Sequence, residues 1–342
     1  MNKTKGLVAS ILFLIVFLSI YFFRKDSTQP YQVNRGMIFG TIYNIKYQYK
    51  KDIQTDIEKE LKRFELSLSP FNKQSIISHI NNNIPDVKAD KWFTDVFNKS
   101  KEIYELSDGY FDPTVSPLIN AWGFGFEKSD SVTQELIDSL LVFVGMNKIS
   151  LDKQGRIIKT DPRIKLDFSA IAKGYGCDVV GSYLKKRGIH NFMVDIGGEI
   201  VAQGVNPAGN CWSIGIRVPK EEEMAEPVRW IEKASLCDAA MATSGNYLNY
   251  HVKDGKKFAH TINPKDGKPI QRSLLSATVF SKDCMTADAL ATTFMVIGLD
   301  KALRMAESLP NVEAYFISAN KTDTTGYNIT ATSGINKYIS NK

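Results

Sequence analysis

An uncharged apolar segment from Leu7 to Phe23 constrains this chain most strongly, because it cannot remain exposed to water. As an α-helix it would be roughly 26 Å long, close to the thickness of a bilayer core. Lys3 and Lys5 precede it, and no cleavage site of small residues follows. We therefore predict a signal anchor, a transmembrane helix within residues 1–24, rather than a cleaved signal peptide or a buried terminal helix.

The remainder has the composition of a folded protein. The chain has 342 residues, of which 43% are hydrophobic and 23% charged, enough for one large domain or two packed subdomains. The net charge of +6 is small for this length and forms no basic stripe, so a nucleic-acid partner is not favoured. We predict a linker over residues 25–32 and a folded domain over residues 33–342. With the anchor in the inner (cytoplasmic) membrane, this domain would lie on the extracytoplasmic, periplasmic side.

Helical and strand-like patterns alternate irregularly in this domain, which favours an α+β fold. Strand character extends from Met37 to Tyr49, and a capping box at Thr55 and Glu58 predicts the start of a helix. A helical pattern is formed by Phe93, Val96, Phe97, Ile103 and Tyr104. Further helices are predicted from about Val132 to Val144 and from about Ser169 to Arg187, and Gly188 is the predicted C-cap of the latter. Other segments have strand character, namely 191–196, 212–218, 275–280 and 312–317, and two more helices are predicted near 285–297 and 301–309.

The four cysteines are widely spaced and form no metal-binding pattern. Buried thiols are the default interpretation, and export would permit a disulfide without implying one. The sequence also lacks the glycine-rich loops that bind dinucleotides or nucleoside triphosphates.

The segment from Met285 to Thr292 contains the most informative spacing. Asp288 and Thr292 are four residues apart, so on a helix they share one face. A carboxylate and a hydroxyl on one face suit Mg²⁺, which retains open positions for water and phosphate. The alternative is an acid near the helix N-terminus followed by a threonine bonded back to the helix.

A second segment, Leu166 to Gly174, leads from a strand into a helix. Asp167 or Ser169 would serve as an N-cap in the simplest interpretation. The functional interpretation is that this turn presents a backbone carbonyl to a metal and Lys173 to a polar or anionic cofactor group.

Two further segments suit a ligand-binding surface. Prolines fix the loop from Ser107 to Leu118, which places Tyr110 and Phe111 beside Asp112 and could line a flat aromatic ligand or form a rigid surface turn. The segment from Asp195 to Glu199 contains two glycines, which indicate a tight turn or a close approach of backbone to ligand.

The last segment contains one of only four histidines. His260 precedes a turn that is built from Asn263, Pro264, Asp266 and Gly267. It is a candidate general base or cofactor contact, although a lone histidine is more often structural. The segment Ala242 to Gly245 lies ahead of it.

Together and in this order, these segments resemble the ApbE family of FAD:protein FMN transferases. The resemblance covers about residue 35 to the C-terminus and includes LDFSAIAKG, GYFDPTVSPL, DIGGE, TSG and TADALAT. The segments Phe39 to Thr41 and Leu68 to Asn72 match two further family motifs. The resemblance implies a single large ApbE-like domain of two packed α/β subdomains.

The resemblance also implies the site. It assigns the Mg²⁺ ligands to the Asp288 and Thr292 side chains and the Ala170 carbonyl. It places FAD, as substrate, against the following residues: Phe39, Phe71, Tyr110, Phe111, Asp112, Asp167, Lys173, Ile262 and Ala291. His260 and Asp288 are the catalytic candidates.

The implied reaction is Mg²⁺-dependent transfer of FMN from FAD to a serine or threonine hydroxyl of an acceptor protein, with release of AMP. Implied acceptors are membrane redox subunits that carry a short flavinylation motif with Ser or Thr. Two alternatives stay open: an FAD pyrophosphatase that yields FMN and AMP, and a non-enzymatic exported flavin-binding protein.

Three features depart from the family pattern. The chain has no N-terminal cysteine that could carry a lipid, which is why a helical anchor is predicted. Phe39 stands where methionine is common. Asn263 stands where aspartate is usual, so a role that needs a carboxylate there is not expected.

Overall fold

A computed structural model describes residues 12, 14, 15, 29–124, 132–217, 230–246, 250–253, 256–259, 261–320 and 326–339. The predicted anchor, residues 1–24, lies outside this part of the chain except for three residues. In the described part, no helix is both long and apolar enough to cross a membrane. The anchor and its orientation therefore stay predictions.

An eight-stranded antiparallel sheet forms the centre of the fold. In spatial order its strands are β1 (Tyr31–Ile38), β2 (Thr41–Gln48), β5 (Phe192–Ile196), β6 (Glu199–Gln203), β9 (Ala239–Gly245), β12 (Leu274–Ser281), β13 (Glu313–Ala319) and β14 (Tyr327–Ala331). Three two-stranded ribbons are formed by β3 (Ile149–Leu151) with β4 (Ile157–Lys159), β7 (Trp212–Arg217) with β8 (Trp230–Leu236), and β10 (Tyr250–Lys253) with β11 (Lys256–Ala259).

Helices cover one face of the sheet. They are α1 (Gln54–Leu68), α2 (Ile76–Asn81), α3 (Lys91–Leu106), α6 (Ala172–Lys186), α7 (Cys284–Ile297) and α8 (Leu299–Ser308). Helices α4 (Ser116–Ala121) and α5 (Gln134–Leu141) pack together in a separate small cluster. Strand β2 shows how the faces separate: Tyr43, Ile45 and Tyr47 point into the helical core, whereas Ile42 is 65% exposed. The main core thus lies between the sheet and the helices.

A second, smaller core lies on the opposite face of the sheet. There the β7–β8 ribbon contributes Trp212, Ile216 and Leu236, which pack with Met241 of β9 and Phe280 of β12. The single sheet thus has helices on one side and the ribbon on the other. The body of the protein is one mixed α/β domain, and its predicted division into two subdomains stays a prediction.

The structure confirms most of the predicted elements and corrects two. The pattern from Met37 to Tyr49 is a hairpin rather than one strand, because Phe39 and Gly40 adopt positive φ angles of 52° and 73° and reverse the chain. The helix predicted from about Val132 to Val144 is shorter, and spans only Gln134–Leu141. By contrast, the glycine predicted to end α6, Gly188, has the expected positive φ of 74°.

The predicted capping box at Thr55 is wrong. Helix α1 begins at Gln54, and the residue at its N-cap, Ile53, has no side-chain cap. The acceptor lies one residue earlier, where the Asp52 carboxylate accepts a 2.9 Å hydrogen bond from the Gln54 amide and a 2.8 Å bond from Asn34 Nδ2. The Asp52 carboxylate, which is held by Asn34 of β1, thus takes the place of an N-cap side chain for α1.

Two of the cysteines form a disulfide instead of the expected buried thiols. Cys211 and Cys237 lie at the base of the β7–β8 ribbon, with their Cα atoms 4.9 Å apart. The β7–β8 register brings them together, since Trp212 pairs with Leu236. Cys177 and Cys284 are buried free thiols, as expected.

Candidate active site

A cavity of about 740 Å³ opens between the helices, the sheet and the β7–β8 ribbon. Its wall combines residues from both cores. The lining includes Thr41, Ile42 and Asn44 of β2, Tyr110 to Pro113, Asp167, Ser169, Ala170, Lys173, Asp195, Gly197 to Ile200, Ile214 to Arg217, Trp230, Met241, Thr243 to Gly245, Thr261, Ile262, Asp288 and Thr292. Segments that are far apart in sequence therefore meet around one space.

Helices α6 and α7 form one side of this cavity and approach each other closely at Gly174. A Cβ atom at this position would lie 2.2 Å from the Cys284 carbonyl oxygen and 2.7 Å from Asp288 Cβ. The Gly174 amide donates a 2.9 Å hydrogen bond to Oδ2 of Asp288. The absence of a side chain thus allows a direct bond from α6 to a predicted metal ligand.

The N-terminus of α7 is held by two carboxylates. Asp283 is its N-cap and accepts a 2.8 Å bond from the Thr286 amide. Asp178 of α6 accepts bonds of 2.9 Å from the Cys284 amide and 2.8 Å from the Met285 amide. Asp178 was not predicted as a site residue from the sequence, although its position one turn after Gly174 was a usable signal.

Burial raises the pKa of Asp178 to about 7. The two amide donors from α7 and the ammonium of Lys185 oppose this shift, whereas the Asp283 carboxylate adds to it. The desolvation of the buried carboxylate outweighs the effect of the two amide donors, so the pKa of Asp178 is raised.

Lys173, Glu199 and Asp288 form an ionic cluster in the cavity wall. The Lys173 Nζ atom lies 3.0 Å from Glu199 Oε1 and 3.8 Å from Asp288 Oδ1. Both carboxylates are only 4% exposed. The segment Asp195 to Glu199 was predicted to be a tight turn or a close approach to ligand, but Glu199 itself was not predicted as a site residue.

The cluster places two carboxylates beside one ammonium group. Burial alone would lower the pKa of Lys173, but the charges of Asp288 and Glu199 outweigh it and raise the pKa. Burial raises the pKa of Glu199 and that of Asp288, and Lys173 opposes both shifts. Lys173 thus stabilises the charged forms of both carboxylates, whereas burial disfavours them.

The three predicted metal ligands, Ala170, Asp288 and Thr292, line the same cavity. Asp288 lies in the second turn of α7, where it is not the N-cap. The threonine that donates back to the helix is Thr293, whose hydroxyl lies 2.7 Å from the Ala289 carbonyl. The N-cap of α7 is Asp283, and a back-bonded threonine is present at Thr293.

The donor chemistry and charge of this site fit Mg²⁺. One carboxylate, one hydroxyl and one carbonyl oxygen are hard ligands that leave positions for water and phosphate. A divalent cation bound there would stabilise the charged forms of Asp288 and Glu199, which burial disfavours. Among the described residues, no group of three or more His, Cys, Asp or Glu could hold a metal, so a cage made only of such side chains is not present there.

The predicted aromatic loop lies on another side of the cavity. The Tyr110 ring lies beneath the ammonium groups of Lys265 and Lys301, whose Nζ atoms are 5.5 and 5.4 Å from the ring centroid. Asp112 is buried and accepts bonds of 2.8 Å from the Thr114 amide and 2.6 Å from its hydroxyl. Burial raises the pKa of Asp112.

The LDFSAIAKG segment is bonded directly to this loop, because the Asp167 amide donates a 2.7 Å bond to the Pro113 carbonyl. The N-cap interpretation of Asp167 and Ser169 is wrong, since α6 begins at Ala172 and its N-cap is Ile171. The Asp167 carboxylate instead accepts a 2.8 Å bond from the Ser169 amide within the preceding turn.

The cavity lining includes most of the predicted FAD contacts. They are Tyr110, Phe111, Asp112, Asp167, Lys173 and Ile262. Three others do not line it: Phe39 packs against Phe64, with ring centroids 5.4 Å apart, Phe71 is 67% exposed, and Ala291 is 1% exposed within the core. His260 lies outside the described residues, so its place in the site stays a prediction.

Comparison with known proteins identifies the family to which this domain belongs. The ApbE family profile matches residues 39–316. The chain belongs to the ApbE family.

Curated relatives carry one common name. A protein of Vibrio cholerae named FAD:protein FMN transferase is 37% identical over 285 residues, which cover 80% of this chain and 83% of the relative. Another of the same name from Haemophilus influenzae is 36% identical over 332 residues, covering 92% and 93%.

Solved structures show the same fold. The flavin transferase ApbE from Vibrio cholerae superposes with a TM-score of 0.80 at 33% identity, covering 91% of this chain and 99% of that one. The apo form of the Pseudomonas stutzeri flavinyl transferase ApbE gives 0.78 at 29% identity, covering 92% and 98%.

Proposed function

We propose that this protein is a Mg²⁺-dependent FAD:protein FMN transferase that attaches FMN to a serine or threonine of an acceptor protein and releases AMP. The observation that carries the proposal is the convergence of Asp288, Thr292 and Ala170 with Lys173 in one cavity. The names of relatives at 36 and 37% identity support the reaction class.

Asp288, Thr292 and the carbonyl of Ala170 would hold the metal ion. Bound Mg²⁺ supplies charge neutralisation at a pyrophosphate as its P–O bond breaks. Gly174 and Lys173 hold the Asp288 carboxylate in place from α6, so the ligand helix is oriented before substrate enters. Preorganised charge of this kind needs no rearrangement during the reaction.

The aromatic loop provides the second part of the substrate site. Tyr110 and the buried Phe111 both line the cavity, which suits a flat aromatic ring system. Asp167, Lys173 and Ile262 complete the proposed FAD contacts within the lining. Phe39, Phe71 and Ala291 are proposed as FAD contacts by family resemblance, and for Phe39 and Phe71 this requires side-chain movement on binding.

The proposed reaction is one displacement at phosphorus. The hydroxyl oxygen of the acceptor forms a bond to the FMN phosphorus, the bond from that phosphorus to the bridging oxygen breaks, and AMP leaves with that oxygen. The hydroxyl proton passes to a base, for which His260 is our candidate. The product is a phosphoester between FMN and the acceptor side chain.

The disulfide supports the proposed location. Structural disulfides persist in oxidising compartments and are rare in the cytosol. The Cys211–Cys237 bond therefore favours an extracytoplasmic domain, in keeping with the anchor predicted at residues 1–24. Such an anchor would keep the enzyme beside membrane redox subunits that carry the flavinylation motif.

The test combines the exported domain with FAD, Mg²⁺ and a candidate acceptor that carries a serine or threonine flavinylation motif. We expect flavin fluorescence of the acceptor in a denaturing gel and a mass gain of one FMN, both lost with EDTA. Free FMN and AMP without an adduct would instead support the pyrophosphatase. Binding of FAD without Mg²⁺ and without AMP release would support a flavin-binding protein.

Two variants test the assigned roles. Asp288→Ala should abolish turnover because it removes the only carboxylate of the ligand set, and His260→Ala should mainly lower the rate. Asp300→Ala, which removes an exposed carboxylate of α8, is the matched control. Normal turnover in either test variant would remove that residue from the mechanism.

A further inference from the structure

Three hydrogen-bond acceptors lie together on the sheet side of the cavity. Asn44 of β2 and Asp195 of β5 are directly paired across the two strands. Glu199 begins β6, directly after the Gly197–Gly198 turn that follows β5. All three line the cavity, and we call Asn44, Asp195 and Glu199 the acceptor wall.

Two atoms of the acceptor wall are buried without a partner. Within the part of the chain that the structure describes, Oδ1 of Asn44 and Oε2 of Glu199 have no hydrogen-bond donor. Glu199 is only 4% exposed, so its free oxygen is largely shielded from bulk water. Because buried polar atoms are nearly always paired, this wall has the features of a binding site.

The Lys173 ammonium determines which Glu199 oxygen is free. It lies 3.0 Å from Oε1, which leaves Oε2 as the oxygen without a donor. Asp195 is less free, since it accepts a 2.9 Å bond from the Gly198 amide. Glu199 and Asn44 are therefore the wall residues that each have an acceptor atom without a donor in the described protein.

The tight turn keeps this part of the wall compact. Gly197 has a φ of 66°, and its amide donates a 3.0 Å bond to the Ile42 carbonyl. A Cβ atom at Gly197 would lie 2.9 Å from the Thr41 side chain. The β5–β6 turn can thus pack directly on β2, which brings Asn44 and Glu199 to the same surface.

The chemistry of the wall selects its ligand group. Carboxylate and amide oxygens accept hydrogen bonds, whereas an ionised phosphate offers no donor and is repelled by the carboxylates. A hydroxyl group supplies the missing donor. We propose that Glu199 and Asn44 bind a hydroxyl group of the substrates, with Glu199 Oε2 and Asn44 Oδ1 as acceptors.

This inference rests on the proposed function, which offers two sources of hydroxyl groups. One is the sugar portion of FAD, which has the ribityl and ribose hydroxyls. The other is the serine or threonine of the acceptor protein. Both present the same O–H donor to the wall, and separate measurements distinguish them.

The main variant is Glu199→Gln. Glutamine keeps one oxygen for Lys173 but turns an amide donor toward the cavity, where an acceptor is required. Asn44→Ala removes the second acceptor and serves if the first variant does not fold. Gln203→Ala is the matched control, because Gln203 Oε1 is also buried without a partner on β6 but does not line the cavity.

Binding is measured first, without turnover, by titrating FAD and riboflavin into EDTA-treated protein and following flavin fluorescence. Lumiflavin, which has the flavin ring system but no sugar hydroxyls, is the control ligand. If FAD supplies the hydroxyl, both variants should weaken FAD binding about tenfold or more and leave lumiflavin binding unchanged. Riboflavin affinity falls in parallel if the ribityl chain is the source.

If the acceptor supplies the hydroxyl, FAD binding should stay unchanged and the KM for the acceptor should rise about tenfold in both variants. Unchanged values for FAD and acceptor in correctly folded variants would overturn the inference. A changed Mg²⁺ requirement alone would also overturn it, since Glu199 would then act on the metal. A wild-type protein that binds flavins but never transfers FMN would refute the proposed function instead.

Discussion

The amide of Gly174 donates a 2.9 Å hydrogen bond to Oδ2 of Asp288, and this bond joins the two helices on which the candidate metal site is built. Gly174 belongs to α6 and follows Lys173, which also faces Asp288. One short stretch of α6 thus determines both the position and the electrostatic surroundings of the carboxylate. The contact requires glycine, because any Cβ would collide with α7.

Gly174→Ala should therefore separate the two helices. A Cβ placed 2.2 Å from a backbone oxygen cannot be relieved by a side-chain rotation, so we expect a loss of about 1–3 kcal/mol in the free energy of unfolding. The half-saturating Mg²⁺ concentration should rise as Asp288 moves. Urea denaturation and a Mg²⁺ titration of turnover measure the two effects.

Gly181→Ala is the control for this substitution. It lies on the same helix, but the nearest atom to its Cβ would be Phe192 Cε2 at 3.3 Å, a side-chain contact that can adjust. We expect unchanged or slightly higher stability there, since alanine favours helix. Equal stability of both alanine variants would show that the Gly174 contact is not needed.

The ion cluster predicts strong coupling between Lys173 and Glu199. Lys173→Met leaves two buried carboxylates without their shared cation, which should cost roughly 3–5 kcal/mol of stability. In the double variant Lys173→Met, Glu199→Gln, one of those charges is gone, so the loss should be smaller than the sum of the single losses. A double-mutant cycle by urea denaturation measures this coupling, and additive losses would contradict it.

Asp178 predicts a specific pH dependence of stability. Its pKa is raised to about 7 in the folded state, so the folded protein keeps a proton that the unfolded chain releases near pH 4. The contribution of Asp178 to stability is thus fully present below pH 4 and is lost as pH rises toward and through 7. The expected slope is at most about 1.4 kcal/mol per pH unit.

Asp178→Asn should remove this pH-dependent contribution to stability. The free energy of unfolding of the wild type minus that of the variant should decrease between pH 5 and 7 and level off above about pH 8. Other titrating groups cancel in this difference. Parallel curves of unfolding free energy against pH for the two proteins, from urea denaturation at several pH values, would show that the pKa of Asp178 is not shifted.

The disulfide predicts a dependence on redox conditions. The bond closes a segment with a sequence separation of 26, for which loop closure contributes about 3.5 kcal/mol. Reduction with dithiothreitol should therefore lower stability by roughly this amount and loosen the β7–β8 wall of the cavity. Thermal unfolding with and without reductant measures the loss. The Cys211→Ser, Cys237→Ser variant should be less stable and should no longer respond to reductant.

Local patterns of the sequence were sufficient to predict α3, α6 and α7. They were also sufficient to place Asp288 and Thr292 on one face of a helix. In each case neighbours in sequence share a helix face, and the helical period records this directly. Gly197 and Gly198 were also informative, because a positive φ angle is a local property of the backbone. The order of these motifs further indicated the family, which the comparisons showed.

The tertiary structure alone decided which distant residues meet. Glu199 reaches Lys173 and Asp288 only because β6 lies beside α6 and α7, and Cys211 meets Cys237 only through the register of β7 with β8. The local periodicity of a sequence does not predict such contacts between distant segments. The sequence by itself therefore determined the helices, the turns and the chemistry available, whereas packing of the sheet determined which groups share a cavity and which charges must be compensated there.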